Sequence, residues 1–267
     1  MRVTVSSEPG TLDAPNEDAV AIGADTVAVL DGATARTDTG CIHGVAWFVR
    51  RLAGALAVHS NLRPTSALAE AIKDTAALHR GTCDLEHPGT PSAAVGILQE
   101  RRGALRYLLL GDVTLVLKRM TDDIRVLTDN RISATALTER AVANALPNGS
   151  PEKDQALVRM KQTELTSRNV AGGFWVAAAD PRIVKHAITG EVPASEVGQA
   201  ALLSDGAARA VAPFGLYDWP QLLVALTEAG PDELIRRIRA AEDGDPHGLQ
   251  WPRNKIHDDA TVALVKV

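Results

Sequence analysis

The segment from Pro15 to Ala35, PNEDAVAIGADTVAVLDGATA, constrains the fold more than any other part of the chain. It holds two short strand-like runs, Ala19–Ile22 and Thr26–Leu30, separated by Gly23-Ala24-Asp25, which reads as a three-residue hairpin turn. In an antiparallel hairpin the numbers of paired residues sum to a constant. Pairing Ile22 with Thr26 puts Glu17 opposite Asp31, and a slip of one residue puts Asp18 there instead. In either register two acids become cross-strand neighbours, with Cβ atoms roughly 4.5–5.5 Å apart. Like charges at that distance repel unless a cation lies between them, and a hard divalent ion is the economical partner for carboxylates. The plainer reading is that Glu17 and Asp18 cap one turn while Asp31-Gly32 starts another.

The same arrangement recurs downstream. YLLLGDVTLVL places Asp112 in a Gly-Asp turn, read as a two-residue hairpin. ALLSDGAA ends a strand at Asp205, and HDDATVALVKV begins the last strand at Asp258-Asp259. The end of one strand and the start of an antiparallel neighbour share a sheet edge, so Asp205 and Asp258 are expected to meet. Acids gathered at strand ends along one rim build an all-oxygen metal site.

Further strands are expected at Ser92–Gln99, Leu105–Leu110, Val113–Lys118, Ile124–Leu127, Phe174–Ala178, Ala200–Ser204 and Ala260–Val267. Helical spacing marks Gly40–Val58, Thr65–Arg80, Ser133–Leu146, Gln221–Glu228 and Asp232–Ala241. Two helices in succession followed by four strands argue against a βαβ doubly wound fold. The expectation is an α+β protein in which two mostly antiparallel sheets pack face to face with helices outside, a single domain over residues 1–267. Apolar residues make up 45% of the chain but aromatics only 3%, so the core must be built from Ala, Val, Leu and Ile.

Several function classes are excluded. The net charge is −5, and no run of Lys or Arg exceeds two residues, so a nucleic-acid partner is not expected. The longest apolar segment, Val45–Val58, is interrupted by Arg50 and Arg51, which argues against a membrane span. The start MRVTV lacks the pattern of a signal peptide, and a cytoplasmic monomer is the expectation. The two cysteines, Cys41 and Cys83, form no C-x-x-C pair, so free thiols are expected rather than a zinc knuckle. The seven histidines are scattered without zinc spacing, and His43 and His59 read as structural or surface groups of a helix. A cysteine phosphatase needs C-x5-R, but Trp47 and Gly89 stand at the Arg positions. No G-x-x-x-x-G-K-[ST] phosphate loop occurs.

Taken in order, NEDAV, VLDGA, GTPSAAVGIL, LLLGDVTLVL, LLSDGAA and HDDATVALV resemble the successive motifs of the metal-dependent protein phosphatases of the PP2C (PPM) family, in its bacterial form. The resemblance runs through essentially the whole chain. It implies an αββα sandwich with two Mg²⁺ or Mn²⁺ ions at the rim between the sheets. By motif position Asp31 would bridge both ions. Glu17 and the carbonyl of Gly32 would hold one ion, and Asp205 and Asp258 the other. Asp112 would serve a third, looser ion, and Asp18 would orient metal-bound water. Two ions roughly 3.5–4 Å apart lower the pKa of a bridging water and clamp the attacking and leaving oxygens. The implied activity is hydrolysis of phosphoserine and phosphothreonine esters on proteins, with a separate Ser/Thr kinase or its targets as partners.

The chain departs from the family pattern at three places. Asp13 stands where the family usually carries the Arg that grips substrate phosphate, which leaves Arg36, Arg209 and Arg253 as substitutes. Ala33 stands where the eukaryotic branch has a His, so His257 is the remaining proton donor by position, although it reads more simply as a neighbour of Asp258. Arg209 replaces an acid that would help hold the third ion. Asp13 also opens a reading of another class, a regulatory or binding module that keeps the fold and the ions without turnover.

Overall fold

The computed structural model describes residues 1–267 and builds them into two five-stranded sheets with helices on both outer faces. One sheet has the order β2-β3-β4-β5-β8, with β2 at Asp18–Ile22, β3 at Thr26–Gly32, β4 at Ala93–Arg101, β5 at Ala104–Leu110 and β8 at Ile188–Pro193. The other has the order β1-β10-β9-β6-β7, with β1 at Arg2–Glu8, β6 at Thr114–Arg119, β7 at Ile124–Leu127, β9 at Val197–Leu203 and β10 at Ala260–Lys266. Every strand pairing is antiparallel. This is the α+β sandwich expected from the order of elements.

Alternation along the strands explains the three apolar layers. Val27 and Val29 of β3 point inward with Leu98 and Leu109 to meet Leu115, Leu202, Ala263 and Val265 of the opposite sheet. Ala28 and Leu30 point outward with Ile97 and Leu108. They are covered by Phe48 and Leu52 of α1 (Val45–Val58) and by Leu68 and Ile72 of α2 (Pro64–His79). On the far side Val116, Leu203, Val262 and Leu264 pack under Leu222 and Leu226 of α6 (Trp219–Glu228) and Leu234 and Ile238 of α7 (Pro231–Gly244). Central strands are buried on both faces, which is why they read as unbroken apolar runs. Truncating a fully buried side chain such as Leu52 to Ala costs about 2–5 kcal/mol.

Two helices stand apart from these layers. α3 (Leu137–Asn144) and α4 (Pro151–Ser167) pack on each other through Ala143, Ala156, Leu157 and Met160. α4 starts where Ser150 accepts the Lys153 N–H and Pro151 occupies the first turn, a favourable N-terminus. Between β9 and α6 lies one helical turn, α5 (Asp205–Ala208).

Several sequence expectations are corrected. The opening hairpin pairs Ile22 with Val27, which leaves four residues between them rather than three, and the Gly23 N–H donates to the Thr26 carbonyl across the turn. The register is therefore the slipped one, with Asp18 opposite Asp31. Asp112 is not in a hairpin: β5 and β6 belong to different sheets, and Gly111, at φ 84°, turns the chain from one to the other. That crossover carries Asp112 to the rim between the sheets. Phe174–Ala178 forms only isolated bridges, at Phe174 and Ala177. α1 starts at Val45 rather than Gly40, because Gly40 and Gly44 take positive φ of 63° and 76° in a loop. β1, β8 and α4 lie outside the elements expected from the sequence. The two strands are sheet edges with half-polar patterns, and β8 contains Gly190 and Pro193.

Candidate metal centre and active site

The rim between the sheets collects acids from five separate segments. Asp18 and Asp31 face each other across β2 and β3, Asp112 sits on the crossover, Asp205 opens α5, and Asp258 precedes β10. A cleft here is lined by Asp31, Gly32, Asp112, Asp205 and Asp258 on one side. Arg36, Arg140, Lys161 and Lys255 supply positive charge to the same cleft. Glu17 stands beside it, its Oε2 accepting the Thr34 hydroxyl at 2.5 Å.

Backbone contacts hold this arrangement. The Asp205 N–H donates to Asp31 Oδ2 at 3.0 Å, tying the two sheets together at the rim. The Gly32 N–H donates to the Glu17 carbonyl at 3.0 Å, and a Cβ on Gly32 would lie 2.4 Å from that oxygen, so only glycine allows the approach. Asp259 accepts the N–H groups of Gly10 and Glu17, each at 2.7 Å. The paired acids of HDD therefore divide their work: Asp258 faces the cleft and Asp259 fastens the β2 hairpin to β10.

Glu17, Asp18, Asp31, Asp112 and Asp205 make no direct ion pair. Burial, reinforced by the charges of Asp205, Asp18 and Asp112, holds the Asp31 carboxyl well above the usual carboxylate range. Burial likewise pushes Asp18 up to about 8 and, together with Asp205, Asp112 up to about 7. Asp205 is raised by burial and by Asp258, and Glu17 chiefly by burial. Asp18 Oδ2 is buried with no hydrogen-bond partner. Crowded oxygen donors with an orphaned acceptor behind them are the donor set that a hard divalent cation fits.

Asp258 is the exception. Its Oδ2 accepts Arg209 Nη2 at 2.6 Å and its Oδ1 accepts Lys255 Nζ. Although burial opposes it, these two cations pull the Asp258 carboxyl below its ordinary value. Asp258, Asp205 and Asp259 in turn outweigh burial and raise Lys255. Arg209 is itself buried and also binds Glu242 of α7 at 2.7 Å. An ion held by Asp205 and Asp258 would have to share Asp258 with the ammonium of Lys255, whereas the Glu17, Asp31 and Gly32 side of the rim is free of such competition.

The candidate phosphate-binding residues separate clearly. Arg36 lines the cleft, and its guanidinium makes one hydrogen bond, from Nη2 to the Asn254 carbonyl at 3.2 Å. Arg253 does not reach the cleft. It is buried, paired with Asp245 at 3.1 Å, bonded to the carbonyls of Glu242, Asp245, Trp251 and Ile256, and laid against the Phe214 ring. All its donors face protein, so the expectation of substrate binding by Arg253 is corrected, and Arg209 is consumed in the same way. Asp13 lies exposed in the loop before β2 and is not part of the cleft wall. His257 turns to Asp243 at 2.8 Å.

Lys255, Arg140, Lys161 and Glu164 were missed by sequence reasoning. Lys255 had a signal, a Lys three residues before a candidate ligand acid. The others had none, because α3 and α4 meet the cleft only through the tertiary fold. Arg140 donates to Glu164 Oε1 at 2.7 Å, and Lys161 lies 3.8 Å from Glu164, so the helix pair brings a charged wall opposite the acids.

The fold is that of known serine/threonine phosphatases. The catalytic domain of the serine/threonine protein phosphatase PstP, solved with two manganese ions, superposes with a TM-score of 0.58 at 17% identity, over 99% of this chain and 97% of that one. The serine/threonine phosphatase Stp1 from Staphylococcus aureus gives 0.58 at 14% identity over 99% and 94%. The PPM Ser-Thr phosphatase MsPP from Mycobacterium smegmatis, solved with cacodylate, gives 0.56 at 16% identity over 100% and 98%. No protein-family model and no curated protein sequence matches the chain. The shared feature is thus the αββα sandwich of the PP2C phosphatases, carried by a distant sequence.

Proposed function

We propose that this chain is a divalent-metal-dependent phosphatase that hydrolyses phosphoserine and phosphothreonine esters on proteins. The observation that carries the reading is the convergence of Glu17, Asp18, Asp31, Asp112, Asp205 and Asp258 on one rim, with Arg36, Arg140 and Lys161 around the same cleft. Such a cluster of acids is costly without a cation, and a cleft with both signs of charge suits an anionic ester beside a metal.

Glu17, Asp31 and the Gly32 carbonyl would hold one Mg²⁺ or Mn²⁺. Asp205 and Asp258 would hold a second once Lys255 yields its place, and Asp112 is the remaining acid for a third. When bound, the ions supply Lewis acidity that activates water and neutralises charge on the phosphoryl oxygens. Arg36 would orient the phosphate through its unpaired N–H groups. Asp18, buried opposite Asp31 with its Oδ2 unpartnered, would orient water at the rim through that oxygen. The α3–α4 pair would position the substrate through Arg140 and Lys161 and restrict water.

The regulatory-module alternative drew its support from Asp13, and Asp13 stands outside the cleft while Arg36 stands in it. A phosphorylated protein is the proposed partner, with no nucleic acid and no membrane involved, and a cytoplasmic monomer is the proposed state. No helix is long and apolar enough to cross a membrane. Hydrolysis of p-nitrophenyl phosphate and of a phosphothreonine peptide, measured with Mn²⁺ and with chelator, tests the activity. Turnover that requires Mn²⁺ is expected. Metal binding without hydrolysis of either substrate would overturn the proposal.

A further inference from the structure

Cys41, His43, His79 and Cys83 are the one set of His, Cys, Asp or Glu side chains whose ligand atoms all lie within 4.8 Å of one another. The sequence hides them: Cys41 and His43 lie in the loop before α1, while His79 ends α2 and Cys83 follows a turn later. Both pairs are prepared locally. The Cys83 N–H donates to the His79 carbonyl at 2.9 Å, which folds the chain back over the end of α2. Gly40, at φ 63°, accepts the Asp84 N–H on its carbonyl at 2.9 Å, which brings the two loops together.

The sulfur–nitrogen distances are close to those of a coordination shell. Cys41 Sγ lies 3.8 Å from His43 Nδ1 and 3.6 Å from His79 Nδ1, and His43 Nδ1 lies 3.3 Å from Cys83 Sγ. Ligands at the usual Zn–S and Zn–N distances, placed tetrahedrally, are separated by about 3.4–3.8 Å. The two sulfurs are 3.0 Å apart, well beyond a disulfide bond of about 2.05 Å and short of the roughly 3.8 Å of two tetrahedral zinc thiolates, so they separate by several tenths of an ångström on taking the ion. A disulfide would also leave unexplained why two imidazoles present the same nitrogen to the same point. The rings are held in place: His43 stacks on Trp47 with centroids 4.1 Å apart, and His79 is buried against Trp47 and Phe48.

The geometry points to a closed, four-ligand zinc site formed by Cys41, His43, His79 and Cys83, which fastens the segment 33–44 to the end of α2. Two thiolates and two imidazoles select zinc over magnesium or manganese. Four protein ligands leave no open position, so the site is structural. Its reach extends to the cleft, because segment 33–44 runs from the end of β3, with Asp31 and Gly32, through Arg36 to Cys41. The zinc would hold the far end of the loop that presents Arg36. This inference is independent of the phosphatase reading, since it uses none of the rim acids.

The test uses the full chain, purified reduced, without chelator and with any affinity tag removed. Zinc content after exhaustive dialysis, and the spectrum after Co²⁺ replacement, are measured on the wild type, on Asp31→Asn and on Cys41→Ser and Cys83→Ser. About one zinc per chain is expected in the wild type and in Asp31→Asn, with Co²⁺ giving intense tetrahedral d–d bands and thiolate-to-cobalt charge transfer. Both signals should be lost in the cysteine variants. A wild-type chain that retains no zinc and shows no thiolate charge transfer overturns the proposal, whether or not the variants fold. Thiol counting that finds Cys41 and Cys83 joined in the freshly purified reduced protein would overturn it as well.

Discussion

The carboxylate rim and the Cys/His cluster are joined by segment 33–44, and they gather their ligands in opposite ways. The rim takes hard oxygen donors from five segments, leaves them mutually repelling, and keeps Asp18 Oδ2 without a partner. The cluster takes thiol and imidazole donors from two short segments and brings them within 4.8 Å of one another. The difference is that between a site kept open for exchange and chemistry and a site closed for anchorage. Under the two proposals a hard divalent cation belongs to the rim and zinc to the cluster.

The largest effect belongs to Asp31→Asn, which should cut Mn²⁺-dependent hydrolysis by at least about 10²-fold while leaving zinc content unchanged. A parallel loss of zinc would merge the two regions into one. Arg36→Ala should lower kcat/KM for a phosphomonoester about 10–100-fold through lost charge-assisted hydrogen bonds, with Mn²⁺ affinity preserved. If steady-state kinetics are unchanged, Arg36 does not meet the phosphate. Lys255→Met frees Asp258 Oδ1, so calorimetric Mn²⁺ titration should show tighter binding of a second ion, by roughly tenfold. Weaker binding would mean that the ammonium supports the ion rather than competing with it. The smallest effect is thermal: Cys83→Ser, or zinc removal, should lower Tm by roughly 5–10 °C, as expected for losing a ligand held about 100-fold above its Kd. An unchanged Tm would remove the anchoring role.

The two regions also differ in how visible they were in the sequence. Strands and turns have short periods, so acids at strand ends could be followed by pairing arithmetic. The meeting of Asp18 with Asp31, in the register one residue from the Glu17 pairing, and the nearness of Asp205 to Asp258 followed from antiparallel pairing alone. The arithmetic could not fix the turn length after Ile22, and the slipped register resulted. It could not separate a hairpin from a crossover at Gly111-Asp112 either, since both need the same tight turn. Cys41 and Cys83 escaped because α1 and α2 lie between them, and the pairing of helices leaves no local period that brings two distant loops together. Arg253 misled for a related reason. A basic residue near Asp258 suggests a substrate contact, but the turn after α7 folds its guanidinium inward onto Asp245 and backbone carbonyls. Lys255, two residues later, is the cation that reaches the cleft.

The contrast is tested most directly by anomalous diffraction from a crystal of the zinc-purified protein soaked in Mn²⁺. Manganese is expected at Glu17, Asp31 and the Gly32 carbonyl, and zinc among Cys41, His43, His79 and Cys83. An empty rim, or manganese lodged at the Cys/His cluster, would contradict it.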